Sequence, residues 1–167
     1  MKKILSLTMV LAMLGTALTG CGSKDAATKT PAENTQQTAP VQQEQSQTEK
    51  ALALINTFAS GDTETARELL DENYIQHNLA YGTGADAFIG SVEYLASADV
   101  KTTVNNIRAF EDGDYVFLQT IYNFAGAGEQ VAFDIFRFDE NGKIAEHWDV
   151  METIADQSTW QNQNGRF

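Results

Sequence analysis

The chain has 167 residues, with 11 Lys+Arg against 23 Asp+Glu and a formal net charge of −12. That length suits one domain, and the acidic balance excludes a nucleic-acid binder, which needs clustered Lys and Arg. A hydrophobic content of 43% with nine Phe, five Tyr and two Trp excludes global disorder, and a single cysteine excludes both an intramolecular disulfide and a cysteine-rich zinc site.

Lys2 and Lys3 precede an apolar run from Ile4 to Leu14. A charged start followed by so short an apolar stretch is the pattern of a cleaved leader, not of a membrane span. The run ends in Leu18-Thr19-Gly20-Cys21, which resembles the bacterial lipoprotein lipobox. The resemblance implies a signal peptide over 1–20, cleavage before Cys21, acylation of its thiol (palmitate among the chains) and a lipid-anchored, extracytoplasmic domain. Two or more acyl chains give stable anchoring where one is marginal. From 21 to 47 the chain is rich in Gln, Thr, Ala and Ser, holds both prolines (Pro31 and Pro40), and has Val41 as its one large apolar residue. It cannot bury enough apolar area to offset its ordering entropy and is predicted to be a flexible tether. The folded domain is predicted over 48–167.

Ser46-Gln47-Thr48-Glu49 fits a capping box, with apolar residues following at 51, 54, 55, 58 and 59 and Gly61 as the stop. Asp62 can cap a shorter helix with Ala66, Leu69 and Leu70 on one face. Residues 71–81 show no clean period. A third helix is predicted from near Thr83, burying Phe88, Val92 and Leu95. Four strands then follow over 100–110, 115–124, 129–138 and 143–151, with Asp112-Gly113, Gly126-Ala127-Gly128 and Asn141-Gly142 as the turns. Three helices before an antiparallel meander make an α+β pattern, helices covering one face of a curved, mainly antiparallel sheet. The polar tail over 156–167 receives no element.

The only histidines are His77 and His147. A period of two puts His147 and Asp149 on one face of the last strand and Trp148 on the other. Pairing across Asn141-Gly142 brings Asp134 to the face of His147 and Asp149. The same parity across 125–128 adds Gln119, beside Phe117 and Ile121. Polar groups among aromatics are costly unless paired, so the cluster either satisfies itself as an Asp–His ion pair or lines a cavity. In a cavity, apolar walls would raise the pKa of a carboxylate and make it a proton carrier. Arg137 is expected to pair with an acid on the other face, and Trp148 to serve as core or dimer contact. His77, His147, Asp134 and Asp149 together offer imidazole and carboxylate ligands, but their spacing matches no metal signature, so no metal is assigned.

Tyr74-Ile75-Gln76-His77-Asn78, Phe133–Phe138, Asn141–Ile144 and Glu146-His147-Trp148-Asp149-Val150 together resemble the SnoaL-like polyketide cyclases of the nuclear transport factor 2-like superfamily. The resemblance spans about 48–155. It implies a cone-shaped α+β fold with a pocket between sheet and helices, homodimerisation through the outer sheet face, and cofactor-free acid/base chemistry of the aldol or isomerase kind. Carried over by position, the catalytic roles fall on Asp149, His147 and His77, and substrate contacts on Tyr74, Asn78, Gln119 and Asp134. The chain departs from relatives at Leu79, Gln119 and Glu152. Two functions stand side by side: acid/base catalysis on a small apolar carbonyl compound, or a non-catalytic lipoprotein that captures a ligand or partner. Fold likeness alone does not choose between them.

Overall fold

The computed structural model describes residues 44–167, so the leader, the lipobox Cys21 and most of the predicted tether lie outside the described residues. The elements in chain order are α1 (Gln47–Ser60), α2 (Thr63–Leu69), β1 (Leu70–Gln76), α3 (Ala85–Ser97), β2 (Thr103–Asp112), β3 (Tyr115–Asn123), β4 (Gln130–Phe138) and β5 (Ile144–Thr153). No helix among the described residues is long and apolar enough to cross a membrane.

The capping box forms as expected. Ser46 Oγ accepts from the Glu49 N–H at 3.1 Å, and Glu49 accepts from the Ser46 N–H at 2.8 Å. Ser46 is therefore the N-cap of α1. α1 buries Ala51, Leu54 and Ile55 and ends at Gly61, whose φ of +76° is left-handed. A Cβ there would lie 2.8 Å from the Ala96 Cβ, so glycine also permits the close approach of α1 to the end of α3. Asp62 caps α2 by accepting from the Thr65 N–H at 3.0 Å. α3 buries Phe88, Ile89, Val92 and Leu95 on a single stripe.

The sheet has five strands in the order β1-β5-β4-β3-β2. The four predicted strands form the antiparallel part. The segment left without an element is β1, an edge strand parallel to β5, with Gln76 opposite His147. Leu70, expected on a helical face, is its first residue. Its buried residues, Leu70 and Tyr74, have the exposed Glu72 between them, with a register shift between Leu70 and Ile75, and a four-residue spacing without the intermediate position also fits a helix. The inner face of the sheet joins the helices around a core that includes Leu54, Val92, Leu118 and Phe136. The tail holds one short turn, Gln157–Thr159, and comes back to the outer face, where Arg166 pairs with Glu152 and its carbonyl accepts from Gln119 Nε2.

Candidate functional site

Strand alternation places Asp134, Phe136, His147 and Asp149 together on the inner face. Asp134 lies directly opposite Asp149, and Phe136 opposite His147. These four side chains line a cavity of about 710 Å³ between sheet and helices, with Ile55 and Phe58 of α1 and Phe88 of α3 among the other walls. That volume lies in the range of small-molecule sites. Tyr94, 74% exposed, and Tyr81, 49% exposed, are lining residues that reach solvent.

Asp134 is 4% exposed and fully engaged. Its Oδ2 accepts from the Tyr122 hydroxyl at 3.0 Å, and its Oδ1 lies 3.3 Å from His147 Nε2. With the carboxylate ionised, the shared hydrogen sits on Nε2. His147 Nδ1 lies 3.0 Å from Gln76 Nε2, and that amide also donates to the Tyr74 hydroxyl. The His147 ring stacks on Phe136 with centroids 4.5 Å apart. Tyr122, Asp134, His147, Gln76 and Tyr74 thus form one continuous chain, buried except at the half-buried Gln76. Burial and the nearby carboxylates push the Tyr122 and Tyr74 hydroxyls above their ordinary pKa, so both remain protonated donors.

Asp149 differs. It is half-buried, and a single oxygen, Oδ1, accepts a hydrogen bond, from Asn78 Nδ2 at 2.6 Å. Burial raises its pKa above the ordinary 3.8, against the opposing pull of His147 and the Asn78 bond. Oδ2 takes no hydrogen bond from any described residue, and Asp149 is one of the residues that line the cavity.

The expected constellation forms in part. Asp134, His147, Asp149 and Asn78 converge, with Tyr74 behind them, buried at the edge of Phe88. His77 does not join them. It lies on the outer face, where Nε2 meets Glu146 at 2.9 Å and the ring stacks on Trp148 at 4.4 Å. Gln119 does not join them either. It pairs with Phe133, not Asp134, and so faces outward with Phe117 and Ile121. The cause is the β3–β4 connection, in which seven residues separate the paired Tyr122 and Gln130, where an even number was expected. The extra residue is absorbed in a tight turn at Phe124–Gly126, with Ala125 at φ +50°. Gln76 and Tyr122 were not singled out from the sequence. Gln76 sits two residues from both Tyr74 and Asn78, and that spacing was the available signal.

Asp134, His147 and Asp149 hold donor atoms within 4.8 Å of one another. They are the described residues able to bind a metal ion, although both His147 nitrogens already have partners, so a metal would displace Asp134 or Gln76.

The model of the SnoaL-like domain matches residues 51–147. The chain belongs to that family. No curated protein matches it in sequence. Among solved structures it is similar to an NTF2-like protein of unknown function from Cytophaga hutchinsonii, with 17% identity and a TM-score of 0.57 over 66% of this chain and 94% of that one. It is similar to IdmH, a candidate polyketide cyclase from Streptomyces antibioticus, with 20% identity and a TM-score of 0.52 over 65% and 93%. It is also similar to an LEH-like epoxide hydrolase of M. tuberculosis, with 16% identity and a TM-score of 0.56 over 64% and 74%. At these identities the likeness establishes the NTF2-like α+β fold.

Proposed function

We propose that this SnoaL-like domain binds a small, largely apolar molecule, with Asp149 as its polar contact. The observation that carries the reading is Asp149 in the lining of a largely apolar cavity, held by the Asn78 bond to Oδ1 and with no partner for Oδ2 among the described residues. A half-buried carboxylate oxygen in a largely apolar cavity, with no donor among the described residues, favours a ligand donor or water at this position. Mass spectrometry of small molecules copurifying with the wild type and with Asp149→Asn tests it. A compound retained by the wild type and lost from the variant is expected, and an identical empty spectrum from both counts against it.

The raised pKa of Asp149 favours a second reading, cofactor-free acid/base catalysis. The Asp149 carboxylate would take a proton from a carbon next to a carbonyl. The enolate carbon would then attack a second carbonyl, and the new alkoxide would recover the proton from Asp149. Asp149→Asn would then retain ligand and lose turnover.

The leader pattern and Cys21 support anchoring of this domain outside the cytoplasm by acyl chains. Cys21→Ala is expected to shift the protein out of the membrane fraction or leave it unprocessed. A processed Cys21→Ala protein that still needs detergent for release would contradict this. A second copy pairing through the outer sheet face would cover Phe110, Phe117, Phe133 and Val150, which are exposed there. Light scattering showing only a monomer across micromolar concentrations would remove the homodimer.

A further inference from the structure

Two carboxylates, Asp134 and Asp149, line the cavity, and no Lys or Arg among the described residues lines it with them. His147 is the one side chain there able to carry a positive charge, and it is turned to Asp134 and Gln76. The two acids are not equivalent. Asp134 has both oxygens occupied, by His147 and Tyr122, whereas Asp149 keeps Oδ2 open. The cavity that Asp149 lines has many aromatic walls, among them Phe58, Phe88, Phe124 and Phe136, with the solvent-exposed Tyr81 and Tyr94. An organic anion entering here would meet two like charges and no fixed cation, in a medium where charge repulsion is poorly screened. A cation meets the opposite: a free carboxylate oxygen and the negative faces of several rings.

We propose that the cavity selects an apolar ligand bearing one protonated amine, with its N–H on Asp149 Oδ2 and its carbon skeleton among the aromatic walls. The proposal rests on the ligand-binding reading above and deepens it, with Asp149 as counter-ion instead of carbon-acid base. The chain's net charge of −12 adds long-range attraction of the same sign. A bound cation favours the ionised form of Asp149 against the effect of burial, so binding releases a proton in the pH range where free Asp149 titrates. The other titratable groups near it are Asp134, His147, Tyr74, Tyr81 and Tyr122. The three tyrosines have raised pKa values and stay neutral through that range.

Three probes of matched shape test this by isothermal titration calorimetry on the full-length protein at neutral pH: naphthylmethylamine, naphthylmethanol and naphthoate. The amine is expected to bind at least tenfold more tightly than the alcohol, and naphthoate not to bind. In Asp149→Asn the amine should fall to the affinity of the alcohol. Equal affinity of amine and alcohol, or binding of naphthoate, would overturn the amine assignment while leaving the ligand site standing. An amine preference that survives in Asp149→Asn would also overturn it, since the cation would then be bound elsewhere on an acidic surface. Failure of all three probes to bind would remove the ligand site itself, and the amine assignment with it.

Discussion

His147 sits on β5 and His77 directly follows the neighbouring strand β1, and their surroundings separate the two faces of the sheet. On the inner face His147 is 7% exposed, bonded through Nε2 to the buried Asp134 and stacked on Phe136. On the outer face His77 has its side chain 37% exposed, bonded through Nε2 to Glu146 and stacked on Trp148. Both make an imidazole–carboxylate contact over an aromatic ring. The inner contact continues into Tyr122, Gln76 and Tyr74, and borders a cavity and a second carboxylate. The outer one ends at Arg137, whose Nε donates to the partly exposed Glu146 at 2.7 Å. The same pair of residue types is therefore a site on one face and a surface clasp on the other. Burial and what lies behind the pair make the difference, not the pair itself.

The largest expected effect of breaking this comparison is on the inner face. Asp134→Ala leaves the Tyr122 hydroxyl and His147 Nε2 buried without their acceptor. At about 1–3 kcal/mol for each unsatisfied group, it should cost roughly 2–6 kcal/mol in urea unfolding with an unchanged slope. A loss no greater than that of an outer-face substitution would erase the distinction between the faces.

A smaller effect sharpens it through pH. The folded pKa of Asp149 is raised by burial, so its contribution to stability is complete below the ordinary 3.8 and falls as pH rises through the raised value. Asp149→Asn lacks that fall. It should be at least as stable as the wild type at neutral pH, by no more than about 1 kcal/mol once solvent screening of a half-buried group is allowed for. The gap should close in acid. A variant less stable than the wild type at neutral pH would mark Asp149 as a structural ion-pair partner of His147.

The smallest effect has the opposite sign. The His77 hydrogen bond, then Arg137, holds the Glu146 carboxyl below its ordinary 4.5. Its contribution is present above that value and lost as pH falls through the lowered one. Glu146→Gln should therefore destabilise at neutral pH, by about 0.2–1 kcal/mol for a partly exposed pair on the outer face, and less at high salt. Thermal melts at two ionic strengths check this, and a salt-independent loss above 2 kcal/mol, far beyond the surface-pair range, would show that the outer clasp is no surface contact.

Local signals made most of this architecture legible. The Ser46–Glu49 box and the apolar spacing of α1 and α3 specify those helices, and Asp112-Gly113 and Asn141-Gly142 specify two hairpins. The face shared by Asp134, His147 and Asp149 followed from the second of these turns. Two features depended on geometry that local pattern does not carry. The odd-length β3–β4 connection reversed Gln119 with its whole strand, because one residue of register exchanges the two faces. β1 owes its existence to parallel pairing with a strand about seventy residues away in sequence and contains a register shift, so its alternation is interrupted. Without β1 as a strand, the side on which His77 lies was unreadable, and Gln76, its inward-facing neighbour, went unmarked.

The central claim is that Asp149 is a cavity-facing carboxyl set apart from the self-satisfied chain beside it. Carboxyl-carbon NMR titration of Asp149 in the folded protein measures this directly, with assignment by loss of the signal in Asp149→Asn. A midpoint above 3.8 that moves downward when an amine probe fills the cavity is the predicted result. A midpoint at or below 3.8, unchanged by any probe, would contradict it and make Asp149 one more ion-pair partner of His147.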